Sequence, residues 1–383
     1  MNLLNLIGII TYFLVSYSSA DELIAVTVLV RHGGRLPENL YPNDPYQNYS
    51  WPYILGDLTN EGVKQMYHVG EWLRMRYIPD FISKKYDPAE IFAQSVDYDR
   101  CLMSGGATLA GLFPPTSTET WNKHIRWQPI PIHVSPIWQD FLVDVSVCPK
   151  IPEESVLIRR TRKYAQVMAK YQHFFDFISQ NSGLSVDFST IYPIFDILFS
   201  ELKMNLELPT WAKEIYPTLV PLVIEYTKMD SMTKTERRIQ VGPLLGRIIN
   251  QFDNAINGEN FGTTKTIYRK FMTYYGTEWI LYDLTYTLGL PGIDIPEFGA
   301  IYSIELRKSS NGTYYVNIWY RHSTDLLAKT VPAPIKGMNF NLDYTEFKNY
   351  VKPYIVNNAS EWVSICENFT GQQVQVDTNV VIS

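Results

Sequence analysis

A short apolar run ends abruptly in a charged loop in the stretch LIAVTVLVRHGGRLP, residues 23–37. The run is rich in β-branched residues and is bounded by Gly and Pro, which predicts a buried strand. Arg31, His32 and Arg35 follow at its exit. Because buried charges are costly unless they are paired, the stretch predicts that an anion binds there. The alternative is a surface loop with solvated arginines and a packed histidine.

The residue types of this loop suit a phosphoryl group. Two guanidiniums offer bidentate donors to phosphate, and Gly33 and Gly34 allow the backbone to turn tightly and approach a ligand. His32, between the arginines, has the chemistry of a nucleophile on phosphorus. Ligands of open α/β sheets bind beyond the carboxyl ends of the strands, which is where the loop is predicted to lie.

Composition excludes some partners and indicates a compartment. The 383 residues are 46% hydrophobic and 19% charged, an ordinary globular composition, and the net charge of −6 argues against nucleic acid, which needs a basic face. Residues 1–20 resemble a secretory signal peptide with Asp21 as the mature start. The alternative is a membrane anchor, but the apolar run is shorter than the roughly 20 residues of a spanning helix. We therefore expect secretion, with the lysosome as the alternative, and no membrane anchor.

Sequons and cysteines fit an exported chain. Three cysteines, Cys101, Cys148 and Cys366, allow at most one intramolecular disulfide, and their number alone does not determine which two are bonded. No two cysteines are close and none has a paired histidine, so no metal site is expected. Four N-x-S/T sequons predict glycosylation sites. They are Asn48, Asn311, Asn358 and Asn368.

Strand and helix patterns alternate on both sides of a mostly helical block. Thr59 is a plausible N-cap for a helix, a strand is predicted at 89–96, and a helix at 97–113 ends before two prolines. The block 150–265 interrupts this α/β pattern and is predicted to be a helical insertion domain. A strand (266–276), a helix (278–290) and a hairpin (300–308 with 313–321) follow it. The predicted α/β domain therefore comprises 21–149 and 266–383.

Several motifs resemble those of one enzyme family. RHGGRLP resembles the R-H-G-x-R-x-P signature of the histidine acid phosphatases. DYDRCLMSGGATLAGLFPP and GIDIPEFGAIYSIEL resemble further segments of that family, and the resemblance extends over roughly residues 22–370. YPNDPY, RWQPI and LPTW are similar to stretches of the insect venom acid phosphatases. The resemblance implies a phosphoglycerate-mutase-like α/β fold with a mostly parallel central sheet and a helical second domain.

The resemblance also implies a chemistry and roles for particular residues. Members of the family hydrolyse phosphate monoesters in two steps through a phosphohistidine, with no metal or organic cofactor. His32 corresponds to the nucleophile, and Arg31 and Arg35 to residues that clamp the phosphoryl oxygens. In YYGTEWIL, Glu278 corresponds to the acid that protonates the leaving alcohol, and Thr277 stands where the family has a second histidine that contacts the phosphoryl group.

Thr277 is the main departure from the family pattern. Its hydroxyl is neutral, short and able to donate only one hydrogen bond. Because losing one preorganised donor costs roughly 10²- to 10³-fold in rate, reduced activity is expected. Glutamate at position 278 is a mild change, because the venom-type branch tolerates it.

Further polar residues near the motifs are not expected to act on the substrate. A third family arginine has its counterpart at Gln94, which weakens the clamp. Asp97, Asp99 and Arg100 are expected to brace the loop through local charge pairs rather than to contact substrate. His322, at the end of the predicted hairpin, is expected to be a surface residue.

The resemblance implies that Cys148 pairs with Cys366 and leaves Cys101 as a buried thiol. The leading function is a secreted acid phosphatase-like protein that hydrolyses small-molecule or protein phosphate monoesters with reduced activity. The alternative is a catalytically impaired or inactive phosphatase-like protein that binds phosphate-bearing ligands or partners. Thr277 is the residue that distinguishes the active from the inactive interpretation. The sequence does not determine the oligomeric state, and a dimer is one of the possibilities.

Overall fold

The computed structural model describes most of the chain after residue 20. The described residues are 21–78, 80–136, 140, 142, 148, 158–229, 233–258, 268–291, 295–322, 324–326 and 328–368. The predicted signal peptide, residues 1–20, lies outside them. Within these residues, no helix combines the length and apolar character needed to cross a membrane.

Within the described part of the chain, an eight-stranded mixed sheet forms the centre of the α/β part, in the order β3-β2-β4-β1-β5-β6-β7, with β8 also paired to β6. Strands β3, β2, β4 and β1 are parallel, and β5 to β8 extend the sheet with antiparallel pairs. This arrangement confirms the predicted α/β class with a parallel centre and a β5–β6 hairpin. The strands are β1 (Glu22–Arg31), β2 (Ile91–Ser95), β3 (His133–Val134), β4 (Phe271–Gly276), β5 (Ile301–Lys308), β6 (Tyr314–Arg321), β7 (Val331–Pro332) and β8 (Leu342–Asp343).

Strand β1 is covered on both faces, which explains its nearly continuous apolar sequence. Val28 and Val30 belong to one apolar cluster, and Ala25 and Leu29 belong to another. Successive side chains of a strand point to opposite faces, so helices must pack on both sides. All four side chains are fully buried, as expected for a strand in the parallel part of a sheet.

Ten helices are described. Thr59 caps the first of them as predicted, because its Oγ accepts a hydrogen bond from the Gly62 amide at 3.0 Å. Gly289 ends α8 in the left-handed conformation at φ 62°. The helices are α1 (Asn60–Tyr77), α2 (Asp99–Leu112), α3 (Arg162–Ser182), α4 (Ile191–Lys203), α5 (Thr210–Thr227), α6 (Lys234–Gln240), α7 (Gly242–Ile256), α8 (Trp279–Leu288), α9 (Tyr344–Val351) and α10 (Ala359–Asn368).

The helices divide into layers and a separate core. Helices α1 and α2 share an apolar cluster with one face of the sheet, and α7 and α8 share one with the other face. Helices α3, α4 and α5 surround a core of their own. Helix α7 lies within the range 150–265 predicted as an insertion, yet it packs on the sheet. The predicted division into domains stays a prediction.

The cysteines and sequons occupy positions suited to their predicted roles. Cys148 and Cys366 form a disulfide, the pair that the family resemblance implies, and Cys101 is a buried cysteine outside that disulfide. Asn48, Asn311 and Asn358 are exposed, and the fourth sequon begins at the last residue of α10. Glycosylation of these residues stays a prediction.

Candidate active site

The parallel pairing of β1 with β4 brings two distant segments to one edge of the sheet. Arg31 lies opposite Gly276 in the register, and the amide of His32 donates to the Gly276 carbonyl at 3.0 Å. Thr277 and Glu278 follow Gly276 directly, at the turn between β4 and α8. The charged loop after β1 therefore faces the turn that carries Thr277 and Glu278, at the carboxyl ends of both strands.

Close packing against α1 and α2 fixes the backbone of the loop. The amide of Gly33 donates to the Ser104 Oγ at 3.1 Å, and the amide of Gly34 donates to the Gln65 Oε1 at 2.9 Å. A Cβ atom at position 33 would lie 2.5 Å from the Gly62 carbonyl oxygen. This glycine is therefore required by the approach of helix α1, and any side chain there would displace the loop.

His32 is fully buried and has one occupied ring nitrogen. Its Nδ1 lies 2.9 Å from the Gly33 carbonyl oxygen, and because a carbonyl only accepts, Nδ1 carries the proton. No described residue hydrogen-bonds to Nε2. Burial lowers the pKa of His32 well below its usual value, and the charges of Arg31 and Arg35 lower that pKa further. The ring is therefore neutral with a lone pair on Nε2, the state that a nucleophile requires.

Arg31 is held on one side by aromatic rings and on the other by a carboxylate. Its Nη2 lies 3.0 Å from the Glu278 Oε2, and its Nη1 donates to the Pro296 carbonyl. The guanidinium carbon sits 4.5 Å from the centre of the Phe298 ring and 5.6 Å from that of Phe199. With 2% of its surface exposed, this side chain has a single fixed orientation beside His32.

Arg35 is anchored by helix α4. Its Nη2 donates to both carboxylate oxygens of Asp196, at 2.9 and 3.0 Å, and its Nη1 donates to the Ser200 Oγ at 3.2 Å. Burial alone would lower the pKa of Arg35, but the carboxylate of Asp196 outweighs it and raises that pKa above its usual value. Arg35 therefore stays charged although it is 2% exposed.

Both carboxylate oxygens of Glu278 have partners. Oε1 accepts a hydrogen bond from the Tyr192 hydroxyl at 2.8 Å, while Oε2 lies 3.0 Å from Arg31 and 3.9 Å from the Nε2 of His32. Burial would raise the pKa of Glu278, but Arg31 and Arg35 outweigh it and hold that pKa far below its usual range. Without bound substrate, Glu278 is a carboxylate.

Charges in the site balance in pairs. A third guanidinium, that of Arg100, lies 2.7 Å from a carboxylate of the loop and is close enough to lower the pKa of His32. The Nε groups of Arg31, Arg35 and Arg100 are buried, and none has a hydrogen-bond partner among the described residues. Glu278 faces Arg31, Asp196 faces Arg35, and Glu38 faces Arg100. Each of the three arginines therefore keeps a buried donor that has no acceptor among the described residues.

The structure brings His32, Arg31, Arg35 and Glu278 together, as the sequence suggested. Thr277 is partly buried at the turn before Glu278. These positions are compatible with the predicted roles, but the catalytic and binding roles of the residues stay predictions.

The other residues discussed with the motifs have partners of their own. The Gln94 Oε1 accepts from Arg247 of α7 at 3.1 Å, and Arg100 braces the loop through Glu38 at 2.7 Å. His322 is 57% exposed at its side chain and lies 4.0 Å from Glu297, which is the surface position expected for it.

Helix α4 supplies contacts to the site that no sequence motif indicated. Tyr192 donates to Glu278, and the Phe199 ring packs against the guanidinium of Arg31. Asp196 and Ser200 both accept hydrogen bonds from Arg35. They recur at helical spacing on a single face. Polar residues within the apolar run IYPIFDILFSELK were the available signal, because buried polar groups in such a helix need partners.

Comparisons with known proteins agree with this geometry. The sequence profile of the Histidine phosphatase superfamily (branch 2) matches residues 22–321. Lysosomal acid phosphatase of Rattus norvegicus is 30% identical over 375 residues, covering 95% of this chain and 84% of that protein. Prostatic acid phosphatase of Homo sapiens is 29% identical over 367 residues, covering 94% of this chain and 92% of that protein.

Solved structures share the fold at lower identity. The phytase from Citrobacter braakii superposes with a TM-score of 0.67 at 17% identity, covering 89% of this chain and 99% of that one. The closer likeness to the insect venom enzymes stays a prediction from sequence. The fold, the loop after β1 and the profile match over most of the chain lead to one conclusion: the chain belongs to the histidine phosphatase superfamily, branch 2, and within it to the histidine acid phosphatase family.

Proposed function

We propose that this protein is a secreted acid phosphatase that hydrolyses phosphate monoesters through a phosphohistidine on His32. One observation carries the proposal. A neutral, buried His32 has a free Nε2 lone pair beside Arg31, Arg35 and Glu278. Relatives named as lysosomal and prostatic acid phosphatases support it.

In the first step, the guanidiniums of Arg31 and Arg35 hold the phosphoryl oxygens. The Nε2 of His32 attacks phosphorus while the ester P–O bond breaks, and the leaving oxygen takes a proton from Glu278. The Nδ1–H of His32 keeps its hydrogen bond to the Gly33 carbonyl, which fixes the tautomer and disperses the positive charge that develops on the ring. No protein group other than His32 is assigned to attack phosphorus.

Glu278 must be protonated for this step, and the substrate itself favours that state. A phosphoryl dianion competes with Glu278 for Arg31 and adds negative charge nearby, and both effects raise the pKa of the carboxyl group. Acidic solution therefore assists the first step. In the second step, water attacks the phosphohistidine, Glu278 takes the proton from that water, the N–P bond breaks, and inorganic phosphate leaves His32 neutral again.

Thr277 supports the finer proposal of reduced turnover. A protonated histidine at this position would give the phosphoryl group a charged donor, which a threonine hydroxyl cannot replace. The same residue supports a second candidate function, in which the site binds phosphate-bearing ligands or partners with little or no hydrolysis.

The proposed compartment is extracellular, with the lysosome as the alternative. The signal-like residues 1–20, the exposed sequons and the disulfide support export. The substrates proposed are small-molecule or protein phosphate monoesters. No cofactor, nucleic acid or membrane anchor is part of the proposal.

Steady-state hydrolysis of an aryl phosphate by the purified full chain, between about pH 4 and pH 8, tests the proposal. We expect turnover that increases toward acidic pH and competitive inhibition by inorganic phosphate. Calorimetric titration with inorganic phosphate at about pH 5 separates the two candidate functions. Phosphate binding without turnover would favour the second function, and the absence of both would refute the assignment of this site.

A further inference from the structure

Glu278 offers two oxygens to a proton, and only one of them faces the reacting centre. Oε2 lies 3.9 Å from the Nε2 of His32, whereas Oε1 is turned toward Tyr192 of helix α4. A general acid works only if its proton lies on the oxygen nearest to the leaving group. Something must therefore keep the proton off Oε1.

The Tyr192 hydroxyl is placed to do this. At 2.8 Å from Oε1 it must donate, because a carboxylate only accepts. In the free site Oε2 faces Arg31 at 3.0 Å. A bound phosphoryl group competes for that arginine, whereas Oε1 still accepts from Tyr192, so a proton that Glu278 then gains goes to Oε2. Burial and the charge of Glu278 raise the pKa of Tyr192 well above its usual value, and the phenol remains a donor over the whole acidic and neutral range.

Aromatic packing holds this phenol in place. The ring of Tyr192 lies 4.9 Å from that of Trp279, the residue after Glu278, and 5.9 Å from that of Phe195 on the same helix. A third ring, Tyr226 of α5, lies 6.3 Å away. Helices α4 and α5 and the first residue of α8 thus share one aromatic cluster, and the hydroxyl has little freedom to leave Oε1.

We propose that Tyr192 is a positioning residue for the acid step, which directs the transferable proton of Glu278 to Oε2. The proposal rests on the proposed phosphatase function. It extends that function to a residue of helix α4 that neither the sequence motifs nor the family resemblance assigns. Because the donor also stabilises the ionised carboxylate, Tyr192 additionally sets the pH at which Glu278 becomes protonated.

Tyr192→Phe removes only the hydroxyl and tests both effects. We expect kcat for alkyl phosphates, whose leaving groups need a proton, to decrease about tenfold, the equivalent of one hydrogen bond to a charged group. Hydrolysis of aryl phosphates should change little, and the alkaline limb of the pH profile should move to higher pH. The matched control is Tyr164→Phe, which removes a hydroxyl that donates to Asp187 at 3.1 Å; we expect no change in either measurement.

A readout without turnover keeps the proposal separate from the phosphatase function. The side-chain carbon of Glu278, labelled with ¹³C and assigned through Glu278→Gln, can be titrated by NMR in the presence of inorganic phosphate. Its midpoint should lie at higher pH in Tyr192→Phe than in the parent protein, whether or not the protein is active. An equal loss for aryl and alkyl esters with an unchanged midpoint would mean that Tyr192 is merely structural, and would overturn the proposal.

Discussion

A buried carboxyl pair makes the stability of this protein depend on acidity. Asp44, in the loop that follows Arg35, and Glu201, on α4, are 4% and 0% exposed. No described donor reaches either oxygen of Glu201, and its contact is the carboxyl group of Asp44. Burial raises the pKa of Glu201 to about 9, and the charge of Asp44 contributes to that pKa shift. Burial likewise raises the pKa of Asp44. The folded pair therefore shares one proton at neutral pH.

The sign and size of the effect follow from linkage. A group whose pKa is higher in the folded state stabilises the fold below its unfolded pKa, and that stability is lost as pH rises through the folded pKa. Here the window runs from the ordinary pKa of glutamate up to about 9 for Glu201. At about 1.4 kcal/mol per pH unit, the free energy of unfolding should decrease by roughly 3 kcal/mol between pH 5 and pH 7 on account of this pair.

Glu201→Gln is the perturbation that isolates this proton. The amide keeps a donor for Asp44 but cannot ionise. The unfolding free energy is measured by urea unfolding, followed by tryptophan fluorescence, at about pH 5 and at about pH 7. Between these two pH values, Glu201→Gln should lose roughly 3 kcal/mol less of its unfolding free energy than the parent protein loses. Glu214→Gln, at an exposed position of α5, is the control and should keep the parent's pH dependence. If Glu201→Gln keeps it too, the pair does not share a proton and the reasoning fails.

Three further outcomes are expected. Thr277→His should raise kcat/KM for aryl phosphates about tenfold or more, measured by steady-state kinetics at about pH 5, because it adds a charged donor; an inactive variant would favour the non-catalytic function. Glu278→Gln should slow alkyl phosphates far more than aryl phosphates, and equal slowing would contradict its role as the acid. Cys148→Ala should lower the unfolding free energy by about 2–5 kcal/mol, and peptide mapping without reduction should link Cys148 to Cys366, with Cys101 alkylated only after unfolding; a disulfide at Cys101 would refute the pairing.

The predictable parts of the molecule are those encoded locally. The strand that ends at Arg31, the helix capped by Thr59 and the αL end of α8 at Gly289 each have a signal within a few residues. The two-residue strands β3, β7 and β8 have no such signal, because a pair of residues carries no alternation to detect.

The anchoring of the site was not predictable from sequence. Arg35 and Asp196 are 161 positions apart, and Tyr192 and Glu278 are 86 apart. Such pairs form only when helix α4 packs against the edge of the sheet, so no periodicity or spacing in the sequence predicts them. The motif residues could be identified because of the chemistry they carry together, whereas their partners on α4 resemble an ordinary apolar helix with a few polar substitutions.

The central claim is that His32 forms a covalent bond to phosphorus, and trapping that intermediate tests it most directly. The full-length protein is mixed with an aryl phosphate radiolabelled at phosphorus and quenched with alkali within milliseconds, since phosphohistidine survives base and is lost in acid. We predict label on the peptide that contains His32, its loss on acid treatment, and no label in His32→Ala. Turnover that continues in His32→Ala, or label that resists acid or maps to another peptide, would contradict the account.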